Sequence, residues 1–187
     1  MPAVFLDRDG VIIEKAPEGQ YVSRWENVRF IPGAIDAICG LYHAGFKIFI
    51  VTNQRGLALR KIRLEHVEEI HQRLTEKLED RGVRISGIYF CPHAKSKRCS
   101  CRKPKPGMLL RAAEDHGLDL RSSWLVGDAV SDVEAGRRAG CKTVWIKRRR
   151  TKPEKTAPDI IASDLASAAG HILKLEGFRD AVAATHT

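Results

Sequence analysis

The chain has 187 residues, 43% hydrophobic and 29% charged. That length suits one domain with a buried core, and that composition excludes a disordered or fibrous chain. The longest apolar run, Ile48-Phe49-Ile50-Val51, is far short of a membrane span, and the opening residues lack the basic flank and apolar stretch of a signal peptide, so a cytoplasmic protein with no membrane partner is expected.

In chain order, Ala3 to Leu6 reads as a short apolar strand running into Asp7-Arg8-Asp9-Gly10. Gly33 to Ala44 reads as a helix behind Pro32, and Lys47 to Val51 as a second buried strand ending at Thr52-Asn53-Gln54. Leu64 to Arg81 is the most regular amphipathic segment, with Leu64, Val67, Ile70, Leu74 and Leu78 at spacings of three and four. His66 and His71 on that charged helix are read as solvated. Ile85 to Phe90 is a third strand, Pro106 to His116 a helix, Ser123 to Val126 a fourth strand, Ser131 to Ala139 a helix and Thr143 to Ile146 a fifth strand. Residues 147 to 158 read as a basic loop, Ile160-Ile161 as an edge strand, Asp164 to Leu175 as a last helix, and 181 to 187 as a frayed end. The alternation predicts a three-layer Rossmann-like α/β fold, a parallel sheet with helices on both faces, in one domain over 1–187. No insertion between the motifs is long enough for a large cap domain. Segments 14–31, 53–63 and the cysteine-bearing segment 91–101 are expected to form the rim of an open site.

Ligands of such sheets sit at the carboxyl ends of the strands. Asp7, Thr52, Lys103 and Asp128 all fall at or beyond those ends. Two carboxylates at Asp7 and Asp9 repel each other unless a cation lies between them, and hard Mg²⁺ takes carboxylate and phosphate oxygens together. Asp128 offers a third carboxylate to the same ion. Asp132 reads either as an outer member of that set or as an ordinary first-turn residue of its helix. Thr52 and Asn53 offer hydroxyl, amide and backbone N–H groups to a phosphate, and Lys103 in Arg102-Lys103-Pro104 offers a fixed cation.

Cys91, His93, Cys99 and Cys101 lie within eleven positions. This Cys₃His set suits a closed tetrahedral Zn²⁺ better than a disulfide or free surface thiols. The segment has few apolar residues of its own, so the metal is expected to fold it and to place Arg102 and Lys103. Cys39 and Cys141 are expected as buried small hydrophobes.

Phe5-Leu6-Asp7-Arg8-Asp9-Gly10, Val51-Thr52-Asn53-Gln54, Lys103-Pro104 and Val126-Gly127-Asp128 resemble, in order, the four motifs of the haloacid dehalogenase superfamily. The likeness is greatest to the branch holding D-glycero-D-manno-heptose-1,7-bisphosphate 7-phosphatase and the histidinol-phosphatase domain. The resemblance implies a phosphomonoesterase with Asp7 as nucleophile and Asp9 as general acid/base. Thr52 and Asn53 would then orient the phosphate and Lys103 neutralise it. Mg²⁺ would sit on Asp7, the Asp9 carbonyl and Asp128. Gln54, Arg55 and Arg102 are added as candidate substrate contacts, with Arg60 and Lys61 as further cations of the rim.

The net charge of +9 points to an anionic partner. A small phosphorylated metabolite, a sugar bisphosphate ahead of histidinol phosphate, is expected to be taken by a monomer. A nucleic-acid 3′-phosphatase or binding module is the rival reading. It calls for aromatics interleaved with the basic runs; aromatic content is 6%, and Trp25, Trp124 and Trp145 stand apart from those runs. A catalytically silent zinc-stapled domain is disfavoured by the complete acidic set.

Overall fold

The computed structural model describes residues 2–147 and 157–177. Most of the expected basic loop and all of the expected frayed end lie outside them. Six parallel strands form one sheet: β1 (Ala3–Leu6), β2 (Lys47–Asn53), β3 (Ile85–Cys91), β4 (Trp124–Gly127), β5 (Lys142–Ile146) and β6 (Ile160–Ala162). Their order is β3-β2-β1-β4-β5-β6. The chain moves outward from β1 on one side and from β4 on the other, so the crevice of this α/β sheet opens at the carboxyl ends of β1 and β4.

The helices are α1 (Ala34–His43), α2 (Arg55–Ala58), α3 (Leu64–Glu79), α4 (Gly107–His116), α5 (Val130–Ala139) and α6 (Leu165–Leu175). Strand side chains alternate between two cores. Val4, Leu6, Ile48 and Ile50 pack with Ile38, Ile70, Leu74 and Ile172 from α1, α3 and α6. Ala3, Phe5, Phe49 and Val51 pack with Leu109, Ala112 and Ala135 from α4 and α5, where Phe5 and Phe49 stack at 5.2 Å. Burial on both faces explains why these strands read as continuous apolar runs rather than alternating ones.

Three details depart from the sequence reading. β2 continues through Thr52 and Asn53, which pair with Phe90 and Cys91 of a longer β3. The phosphate-binding candidates and the first metal-ligand candidate therefore stand on neighbouring sheet backbone. Secondly, α2 and two 3₁₀ turns, Trp25–Asn27 and Leu120–Ser122, were not expected; segments so short carry no readable periodicity. Thirdly, His71 is buried, at 7% exposure, rather than solvated. It belongs to the stripe Val67, His71, Leu74, Leu78, spaced four, three and four, so it faces the sheet with its apolar neighbours. Leu64, by contrast, is exposed at the start of that helix.

Among the described residues no inserted domain covers the carboxyl edge of the sheet, and no helix is long and apolar enough to cross a membrane.

Candidate active site

Asp7 follows β1 directly, and its backbone N–H still donates to the Val126 carbonyl at 3.0 Å. Two glycines let the acidic loops close on each other. Gly10, at φ +97°, leaves the space that a Cβ would contest with the Asp128 carboxylate, and Gly127 leaves the space a Cβ would contest with Asp132. Carboxylate oxygens of Asp7, Asp128 and Asp132 consequently lie within 4.8 Å of one another. Trp145 Nε1 donates to the Asp128 carbonyl at 3.2 Å, and Asp132 Oδ2 accepts from the Ala129 N–H at 3.0 Å at the start of α5.

Lys103 is buried against this set. Its Nζ lies 3.0 Å from Asp7 Oδ1 and 2.7 Å from Asp132 Oδ1, and it donates to the Val51 carbonyl at 2.7 Å. Burial disfavours its ammonium, but Asp132 and Asp7 outweigh that cost and hold its pKa above the ordinary lysine value. Asp7 is pushed up to about 7, first by burial and then by Asp132, Asp128 and Asp9, against the opposing pull of Lys103. One lysine does not offset the negative charge gathered here. An all-oxygen donor set with that excess fits a hard divalent cation such as Mg²⁺. Lys15 also reaches the set, with Nζ 2.7 Å from the Asp128 carboxylate; it is half exposed, and no sequence signal ties it to a partner 113 positions away.

Asp9 turns away from that cluster. Its Oδ2 accepts from Arg8 Nη2 at 2.9 Å, Arg8 Nε at 3.2 Å, Gln54 Nε2 at 2.9 Å and Thr52 Oγ1 at 3.5 Å. Its Oδ1 accepts from Arg8 Nη2 at 3.1 Å. Gln54 also donates to Thr52 Oγ1 at 2.9 Å, so it serves the carboxylate and the strand-end hydroxyl together. Asn53 exchanges hydrogen bonds with the Lys103 backbone, Nδ2 to the carbonyl and the N–H to Oδ1, both at 3.1 Å. Its side chain thereby fixes the loop that carries Lys103.

Cys91, His93, Cys99 and Cys101 also converge. The sulfurs of Cys91 and Cys99 are 3.8 Å apart, and His93 Nδ1 lies 3.6 Å from the Cys91 sulfur and 3.3 Å from that of Cys101. Zinc–thiolate bonds of about 2.3 Å place two sulfurs about 3.8 Å apart across a tetrahedral edge. The spacing is that of metal ligands and too wide for a disulfide, and all five cysteines are free. Burial, reinforced by Cys91 and Cys99, drives the Cys101 thiol up to about 12, a cost that a bound cation reverses. Cys39 and Cys141 are buried apart from this group, as expected.

Arg102 is half-buried and donates to the His93 carbonyl at 3.1 Å, tying the loop that carries Lys103 to the cysteine segment. Arg55 begins α2, and its buried Nε has no hydrogen-bond partner among the described residues. Of the other rim cations, Lys61 donates to the Gly19 carbonyl at 3.3 Å. Two openings meet at Asn53. One, of about 180 Å³, is lined by Asp9, Lys15, Tyr21 and Gln54; the other, of about 560 Å³, by Lys97, Arg102, Lys103, Ser131 and Arg138.

The family described as HAD-hyrolase-like matches residues 100–168. The D-glycero-beta-D-manno-heptose-1,7-bisphosphate 7-phosphatase of Pseudomonas aeruginosa is 37% identical over 178 residues, covering 91% of this chain and 97% of its own. The Escherichia coli K12 protein of the same name is 38% identical over 176 residues, covering 89% and 91%. A solved D,D-heptose 1,7-bisphosphate phosphatase from B. bronchiseptica, complexed with magnesium and phosphate, is 30% identical with a TM-score of 0.86, covering 94% of this chain and 99% of that one. The chain belongs to the haloacid dehalogenase superfamily of phosphatases, within the branch of the heptose bisphosphate phosphatases.

Proposed function

We propose that the chain is a Mg²⁺-dependent phosphomonoesterase working through an aspartyl-phosphate at Asp7, and that it removes the 7-phosphate of D-glycero-D-manno-heptose 1,7-bisphosphate. The observation that carries the chemistry is the contact of Lys103 Nζ with Asp7 and Asp132 beside the three clustered carboxylates. The substrate assignment is supported by the names and near-complete coverage of the relatives.

In this reading an Asp7 oxygen attacks phosphorus and the P–O bond to the sugar breaks. Asp9 gives its proton to the departing oxygen, then takes one from the water that attacks the acyl-phosphate, freeing inorganic phosphate and restoring Asp7. Lys103, itself buried, neutralises phosphoryl oxygens, and Thr52 offers its hydroxyl to them. Asn53 and Gln54 act on the phosphate indirectly, by fixing Lys103 and Asp9. Bound Mg²⁺, held by Asp7, the Asp9 carbonyl and Asp128, would offset charge where carboxylate and phosphate oxygens meet. Asp132 holds Lys103 alongside.

Zn²⁺ on Cys91, His93, Cys99 and Cys101 is structural, since four protein ligands leave it no open position. Arg55 and Arg102 are the candidates for the second phosphate. The chain is read as a single-domain monomer acting in the cytoplasm, where a reducing milieu keeps the ligand thiols free.

The test is a panel of esters with Mg²⁺: heptose bisphosphate, histidinol phosphate and a 3′-phosphorylated oligonucleotide. Heptose bisphosphate is expected to lead in kcat/KM by at least about tenfold. A lead for histidinol phosphate would move the substrate, and a lead for the oligonucleotide would overturn the small-metabolite reading.

A further inference from the structure

Arg8 stands between the two aspartates of the first motif, where a side chain pointing into solvent would suffice. Instead its exposure is 1%, and it runs beneath the loop towards α3. One edge of its guanidinium, Nε and Nη2, holds the Asp9 carboxylate. The other nitrogen, Nη1, lies 3.1 Å from Nε2 of His71, 63 positions along the chain.

The donor inventory fixes the sense of that contact. Arginine carries N–H donors and no acceptor, so Nε2 of His71 must offer a lone pair, and the ring is neutral with its proton on Nδ1. The surroundings agree. Burial and the adjacent Arg8 charge lower the His71 pKa to about 3, against a smaller opposing effect of Asp9. The ring is also braced in place, tilted on Phe90 with centroids 5.6 Å apart.

We propose that His71 is a positioning residue for the general acid/base: by accepting from Arg8 Nη1 it locks the guanidinium fork, and the fork holds Asp9 so that its less occupied oxygen, Oδ1, faces the departing group. This rests on the reading of Asp9 as the group that protonates the leaving oxygen. Oδ2 is taken up by Arg8, Gln54 and Thr52, whereas Oδ1 accepts from Arg8 Nη2. A fork anchored at one edge can pivot about its stem; a fork anchored at both cannot. Without His71, Nη1 is left buried and unpaired, and Arg8 recovers a partner only by moving off Asp9.

A general acid is needed most by poor leaving groups, which gives a readout that mere loss of packing would not move. The experiment compares kcat/KM for phenyl phosphate and 4-nitrophenyl phosphate with Mg²⁺ in wild type, His71→Leu, His71→Gln and Asp9→Asn. His71→Leu is expected to lose at least about tenfold with phenyl phosphate and under about threefold with 4-nitrophenyl phosphate. His71→Gln, whose amide oxygen can accept from Arg8, should recover most of the loss. Equal losses on both esters in His71→Leu, while Asp9→Asn shows the unequal pattern, would overturn the positioning role. Equal losses in Asp9→Asn would instead remove the reading of Asp9 beneath it. Should His71→Leu not fold, nitrogen NMR of the wild-type ring decides: a neutral ring protonated on Nδ1 near pH 7 is expected, and a proton on Nε2 contradicts the proposal.

Discussion

Lys103 is an ammonium with almost no access to water, held by two carboxylates and one carbonyl. Such a group is too costly to bury as a structural filler, and its removal would strand the carboxylates around it. Lys103→Met is therefore expected to lower kcat by about 10² to 10³, the scale of losing one preorganised charge at a transferring group, with steady-state kinetics as the check. His71 makes a separate prediction about stability. Between about 3 and the ordinary histidine value of 6.5, the unfolded chain binds a proton on this ring that the native state refuses. Its contribution is complete above pH 6.5 and is lost as the pH falls towards 3. At pH 5 the loss is roughly 2 kcal/mol relative to pH 7.5. Denaturant titrations at those two pH values should show that extra drop in wild type and not in His71→Gln.

At the scale of elements, β2 and β3 do more than their sequence periods announce. Their last paired residues, Asn53 and Cys91, place one clamp on the Lys103 backbone and one thiol of the Cys₃His set side by side. Arg102 closes the connection by donating to the His93 carbonyl. Loss of a ligand is thus expected to reach the active site through the backbone. Cys101→Ser, or chelation of the metal, should lower both the melting temperature and kcat, while the sheet signature in far-ultraviolet circular dichroism persists. A variant that melts lower yet keeps full kcat would separate the loop from catalysis. These elements also mark how far sequence reading extends. Strand ends bearing Asp7, Thr52 and Asp128 were legible because each sits beside its apolar run. The Arg8–His71 and Lys15–Asp128 contacts were not, since they join positions 63 and 113 apart with no local pattern. His71 reads as solvated from sequence because a polar residue on an apolar stripe is counted with its charged neighbours, whereas the structure buries it. Asp132 reads either as an outer member of the acidic set or as a first-turn residue because the two look alike in sequence. In the structure it accepts from the Ala129 N–H at the start of α5 and has a carboxylate oxygen within 4.8 Å of those of Asp7 and Asp128. It also pairs with Lys103, a partner that the sequence reading lacks.

Across the whole molecule, the sheet order brings the ends of β1 and β4 together, and the two glycines let their acidic loops touch. The paired ends of β2 and β3 then hold the loop that brings in the lysine, through the contacts of Asn53 with the Lys103 backbone. No single loop contains the site; its residues range from Asp7 to Asp132 and meet because both faces of the sheet are packed. At this meeting place Asp7 is expected to act as a nucleophile. Acid quenching during turnover of heptose bisphosphate, followed by borohydride, reduces an aspartyl-phosphate to homoserine. Peptide mass spectrometry should find homoserine at position 7, dependent on substrate and Mg²⁺. Turnover without any change at Asp7, or with the modification on another carboxylate, would contradict it.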